Sequence, residues 1–138
     1  MSEPRPPATA PNAATAQARV VADELARCGV RHVVVCPGSR SAALAIAVHE
    51  DPRLAVHVHP DERSAAFVAL GIGRASGVPA AVVVTSGTAV ANLHPAAVEA
   101  DHAGVPLLLI SADRPPELRE TGANQTIAQR DLLGPGLR

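Results

Sequence analysis

The chain has no tryptophan or tyrosine and a single phenylalanine, Phe67. Without aromatic faces, and without any run of basic residues, it lacks the stacking surface and the cationic stripe of a nucleic-acid binder. Twelve basic and thirteen acidic side chains leave a net charge of -1. Cysteine is scarce: Cys28 and Cys36 match the spacing of neither a redox pair nor a zinc site, and both read as reduced, buried thiols. Long apolar runs are missing too. Val105 to Ile110 is the most hydrophobic stretch, which is strand-sized and far too short to span a membrane. The N-terminus lacks the basic-then-apolar order of a secretory signal, so a cytoplasmic location is expected.

What is present is aliphatic. Hydrophobic residues make up 47% of the 138, enough for one domain whose core is packed from Val, Leu, Ile and Ala. The Pro- and Ala-rich residues 1–14 read as a disordered tail, 15–130 as the folded domain, and 131–138 as a tail or the start of an interdomain linker. Helical spacing of Ala18, Val21, Ala22, Leu25 and Cys28 predicts a one-sided helix from Thr15, its N-cap, to Cys28, stopped by Gly29. His32 to Cys36 is apolar without alternation, as a strand covered on both faces must be. The cycle continues with a helix from Ser41 to Glu50, strand Leu54 to His59, helix Glu62 to Ser76, strand Ala80 to Val84, helix Thr88 to His102 and strand Leu107 to Ser111. Pro95 should divide the last helix near Leu93. Strands alternating with helices predict an α/β fold, a parallel sheet with helices on both faces. Beyond Asp113 the pattern fades, and so long a structureless stretch predicts either that more polypeptide follows or that it packs on a partner.

Ligands of open parallel sheets bind outside the carboxyl ends of the strands. There the sequence collects Pro37, Gly38, Ser39 and Arg40 after the first strand, Glu62 after the second, Thr85-Ser86-Gly87-Thr88 after the third, and Asp113 with Arg114 after the fourth. A carboxylate at a strand-to-helix junction can sit half-buried, the setting in which a proton-handling group is tuned, although an acid in a helix's first turn also simply complements the dipole. Ser39-Arg40 suits a carboxylate or phosphate, or is a solvated loop end. Thr85 and Ser86 suit an anion nest or an ordinary N-cap, and Arg114 before two prolines suits a ligand or a plain turn. Asn124-Gln125 either caps a turn or reaches a substrate. Three motifs fail. Gly71-Ile-Gly73 with Ser76 lies inside a helix rather than opening one, His57 and His59 lack a third metal ligand, and no serine elbow occurs.

Five segments in order, Cys36-Pro-Gly-Ser-Arg40, Asp61-Glu-Arg63, Thr85-Ser-Gly-Thr-Ala-Val-Ala-Asn92, Ser111-Ala-Asp-Arg-Pro115 and Thr121-Gly-Ala-Asn-Gln-Thr126, resemble the N-terminal pyrimidine-binding domain of the 2-succinyl-5-enolpyruvyl-6-hydroxy-3-cyclohexene-1-carboxylate synthases of menaquinone biosynthesis. The resemblance implies a thiamine diphosphate-binding, pyrimidine-domain-like fold in a shortened chain. It also implies an enzyme that uses thiamine diphosphate and Mg2+ (or Mn2+) to decarboxylate 2-oxoglutarate and add the succinyl unit to isochorismate. By the same resemblance Glu62 would be catalytic, bonded to the pyrimidine ring nitrogen and favouring the imino tautomer that takes the thiazolium proton. Pro37, Gly38, Thr85 and Ser86 would line the pyrimidine pocket, and Ser39, Arg40, Arg114, Asn124 and Gln125 would hold substrate carboxylates.

Two departures from the family pattern stand out. Ser41-Ala-Ala43 replaces Asn-Ala-Pro, and Asp113 replaces an Asn, placing an acid where it would pair with Arg114 and weaken its hold on substrate. The family's diphosphate and metal ligands belong to a C-terminal domain, and its site forms between subunits of a homo-oligomer. The 138 residues therefore read as a fragment or half of a split enzyme, without metal ligands of their own and inactive alone. The competing expectation is a non-catalytic flavodoxin-like module that binds a small anion through Arg40 and Arg114, or an interaction domain awaiting a partner chain.

Overall fold

Four parallel strands in the order β2-β1-β3-β4 form the sheet: β1 His32–Val35, β2 Ala55–Val58, β3 Ala80–Val84 and β4 Leu107–Ser111. The structure, a computed structural model, describes residues 10–134. The doubly covered reading of β1 is met, since Val33, Val34 and Val35 are buried, as is all of β3. Alternate residues face opposite layers. Val34, Val82 and Val84 pack with α3 (Glu62–Ser76), α4 (Thr88–Ala91) and α5 (His94–Ala103), while Val33, Val35, Ala81 and Val83 pack with α1 (Ala13–Arg27) and α2 (Ala42–Glu50). Alanine dominates the buried positions of α1, α3 and α5, so the helices approach the sheet closely without aromatic filler.

The expected helix from Thr88 to His102 is divided, with the break at Asn92-Leu93. Pro95 has no N–H to offer and its ring would strike the carbonyl of Ala91, so it is tolerated only in the first turn of a new helix. At the other end of the chain three expectations change. Helix α1 starts at Ala13, and its N-cap is Asn12, whose Oδ1 accepts from the Thr15 N–H at 2.9 Å; Thr15 is the capped residue, not the cap. The last residues of the expected tail are thus helical, while residues 1–9 lie outside the described residues. Cys28 ends α1 on the surface and is exposed, so only Cys36 is a buried thiol.

The stretch after β4 is not left projecting from the domain. It folds back onto its own domain: Leu132 and Leu133 pack against the α3 to α5 core, and Ser86 and Gly87 are bonded to it. Among the described residues it holds no α-helix or strand, only a 3-10 turn at Pro116–Leu118, which is why periodicity gave no sign of it. Residues 135–138 lie outside the described residues. No described helix is long and apolar enough to cross a membrane.

Candidate functional site

The chain leaves β1 toward β2 and leaves β3 toward β4, so the carboxyl ends of these two adjacent strands are the switch point of the sheet, where the ligand crevice of an open parallel sheet lies. At its floor the strands are drawn tightly together. Cys36 N–H donates to the Val83 carbonyl at 2.9 Å, and a Cβ on Gly38 would fall 2.4 Å from the Cβ of Thr85, so no other residue fits at 38 without movement. Thr85 is buried, and its Oγ1 has no hydrogen-bond partner among the described residues. Ser41 donates its hydroxyl to the Gly38 carbonyl at 3.2 Å, fixing the turn from which the exposed Ser39 and Arg40 project. Arg40 makes no hydrogen bond or ion pair with any described residue.

Glu62 begins α3, half-buried, and its Oε2 accepts from the Asn92 side-chain amide at 3.3 Å. Its neighbour Asp61 is the N-cap, with Oδ1 accepting from the Ser64 N–H at 2.7 Å, and the Ser64 side chain first, then that backbone bond, hold the Asp61 carboxyl below its ordinary range. The two acids therefore divide their tasks: Asp61 caps the helix and leaves Glu62 for other work. The Glu62 carboxylate is also near the end of β1. Burial pushes the Cys36 thiol up to about 11, with the negative charges of Glu62 and then Asp61 adding to it.

Across the crevice Arg114 is buried, and its Nη2 donates to the Asn124 carbonyl while Nε has no partner among the described residues. The expected pairing of Asp113 with the Arg114 guanidinium does not occur. Asp113 Oδ2 instead takes Arg119 Nη2 at 2.8 Å, and its Oδ1 takes the Arg114 backbone N–H at 2.7 Å. The acid at 113 is satisfied elsewhere, so it does not compete for the Arg114 side chain. Asn124 and Gln125 are exposed at the end of the returning segment. Ser86, expected to line a pocket, is 1% exposed and donates its hydroxyl to the Gln125 carbonyl at 2.8 Å, which makes it a link between loops.

Thr85 Oγ1 and Arg114 Nε are the buried side-chain polar atoms without partners among the described residues, and both follow a strand's carboxyl end. Such atoms are costly unless something satisfies them. Sequence reasoning missed two contributors. Asn92, quoted only inside a motif, touches Glu62, and Gln129 ties the β3 loop to the end of β4. Neither has a local signal, because each acts on a partner distant in sequence. His57 Nε2 lies 3.0 Å from His32 Nδ1, and among the described residues no three or more His, Cys, Asp or Glu side chains are grouped as metal ligands.

Residues 16–132 match the N-terminal TPP binding domain of the thiamine pyrophosphate enzymes. The chain belongs to this family. Curated relatives named 2-succinyl-5-enolpyruvyl-6-hydroxy-3-cyclohexene-1-carboxylate synthase include those of Halobacterium salinarum, 58% identical over 130 residues, and Thermobifida fusca, 58% identical over 127. A Chloroflexus aurantiacus relative of that name is 59% identical over 118 residues. The alignments cover 94%, 92% and 86% of this chain but only 22%, 23% and 20% of the respective relatives, so the chain spans about a fifth of their length. The resemblance of the five loop motifs is thus borne out at the level of the family, and so is the parallel α/β fold expected of a thiamine pyrophosphate enzyme's N-terminal domain.

Proposed function

We propose that this chain is the pyrimidine-side, N-terminal part of a thiamine diphosphate-dependent carboligase that decarboxylates 2-oxoglutarate and adds the succinyl unit to isochorismate in menaquinone biosynthesis. The observation that carries the reading is Glu62: a half-buried carboxylate at a strand's carboxyl end, oriented by Asn92 and near enough to Cys36 to perturb its thiol. A plain anion-binding module gains nothing from an acid in that position.

The residues present fit the cofactor's pyrimidine end. Thr85 Oγ1 is a buried group in want of a partner, the Gly38 contact keeps the crevice floor narrow, and Glu62 supplies the acid. When bound, thiamine diphosphate provides the electron sink for decarboxylation. Glu62 would share a proton with the pyrimidine ring of that group, while Pro37, Gly38 and Thr85 would shape the walls and Ser86 would brace them from behind. Arg40 and Arg114 supply forked cations for the carboxylates of the substrates, with Ser39, Asn124 and Gln125 adding neutral donors and acceptors. Diphosphate and Mg2+ (or Mn2+) are held by polypeptide that the longer relatives have outside the matched fifth, and the working assembly is a homo-oligomer in the cytoplasm. Alone, the chain binds the cofactor weakly and does not turn over.

A chimera tests this. Residues 16–132 replace the matching segment of the Thermobifida fusca synthase, and that enzyme's own reaction is assayed. Turnover within about tenfold of the parent supports the reading, and a folded, cofactor-loaded chimera without turnover contradicts it.

A further inference from the structure

Gln129 is half-buried and uses both ends of its amide. Oε1 accepts from the Gly87 N–H at 2.8 Å, and Nε2 donates to the Ala112 carbonyl at 3.0 Å, so one side chain spans the loop after β3 and the residue that follows β4. We propose that Gln129 is the positioning residue of a strap, residues 121–129, which it fixes across the carboxyl ends of β3 and β4 so that the Gln125 amide is presented to the crevice.

The strap is seated by contacts with two neighbouring loops. Ser86 Oγ donates to the Gln125 carbonyl at 2.8 Å, and Arg114 Nη2 donates to the Asn124 carbonyl. Gly87 stands at φ 81, and a Cβ there would lie 2.9 Å from the Gln125 carbonyl carbon, so strap and loop are in backbone contact. Gln125 is itself at φ 54, a conformation a non-glycine residue keeps only when its surroundings impose it. Every strap contact to Gln125 uses its backbone. Its side-chain amide is exposed and bonded to no described residue, and it is therefore available to a ligand.

An amide is the neutral group with a strong acceptor at one corner and a strong donor at the other. A carboxylate at 129 would still accept from Gly87 but would set its second oxygen against the Ala112 carbonyl. Protonated, the same carboxyl both accepts and donates, as the amide does. That difference gives the position a signature that loss of packing would not produce. The consequence for substrate, that Gln125 meets a carboxylate, rests on the carboligase reading; the strap itself does not.

The experiment is hydrogen–deuterium exchange on the 138-residue chain, comparing wild type with Gln129→Met and Gln129→Glu. With Met, the Gly87 amide, which loses its acceptor, and the amides of the half-buried strap residues Ala123, Thr126 and Ile127 should exchange on the order of ten- to a hundredfold faster, as expected for two lost neutral hydrogen bonds, with α3 unchanged. With Glu, strap exchange should be fast at neutral pH and return toward wild type as pH falls through the carboxylate range, while wild type shows no such step after correction for intrinsic rates. If the Met variant does not fold, the pH step of the Glu variant decides alone. Unchanged strap exchange in both variants, acceleration shared equally by α3, or a Glu variant without a pH step overturns the proposal. No cofactor or substrate enters this readout, so an inactive chimera would refute the carboligase reading and leave the strap standing.

Discussion

The Glu62 carboxylate and the Asn92 side-chain amide are joined at 3.3 Å, linking the first turn of α3 to the residue that ends α4. These are the elements that follow β2 and β3, so the bond fixes the acid relative to the crevice rather than to its own helix alone. Asn92→Ala should lower kcat/KM of the chimera about fivefold, the effect of roughly 1 kcal/mol for one neutral-to-charged bond at partial exposure. Circular dichroism and the thermal midpoint should stay near wild type, because Asn92 is exposed.

The contact between Gly38 and Thr85 makes a second prediction. Gly38→Ala puts a methyl 2.4 Å from a Cβ that cannot rotate away, so the β1 and β3 loops must separate. The expected destabilisation is about 1–3 kcal/mol by urea denaturation, the usual cost of overpacking. Thr85→Gly removes the obstructing side chain, and the double variant should recover part of that loss in a double-mutant cycle. Additive losses would mean that the two residues do not meet.

Cys36 predicts an alkaline limb. Its thiol is pushed from 9.0 up to about 11 in the folded chain by burial, with Glu62 and Asp61 adding to the shift. A folded value above the unfolded one means that the contribution is intact below pH 9 and is lost as pH rises from 9 toward 11, where the unfolded thiol has ionised and the folded one has not. The loss should amount to about 1–2 kcal/mol after allowance for solvent screening. Cys36→Ala should flatten the stability profile over that window relative to wild type. Iodoacetamide at pH 8 should modify the exposed Cys28 and spare Cys36 until the chain unfolds.

Most of the fold was legible because its signals are local. The buried Val runs of β1 and β3, Asp61 ahead of Glu62, and Pro95 inside an apolar pattern each dictate structure within a few residues. The strand-end rule then gathered Gly38, Glu62, Thr85 and Arg114 before any contact was known. What escaped was non-local. The Asp113 to Arg119 pair, the Gln129 bridge and the packing of Leu132 and Leu133 all depend on a segment without periodicity returning to the domain. Thr15 reads as the cap where Asn12 is the actual one because both are good caps and sequence alone does not rank neighbours two or three residues apart.

Glu62→Gln in the chimera tests the account's central claim most directly. The substitution keeps size, helix start and the Asn92 neighbour, and removes only the ability to hold and exchange a proton. The account predicts that kcat falls at least a hundredfold, as loss of an acid–base group in catalysis does, with folding and thiamine diphosphate loading retained. A Gln variant that turns over within a few-fold of the unsubstituted chimera would contradict it.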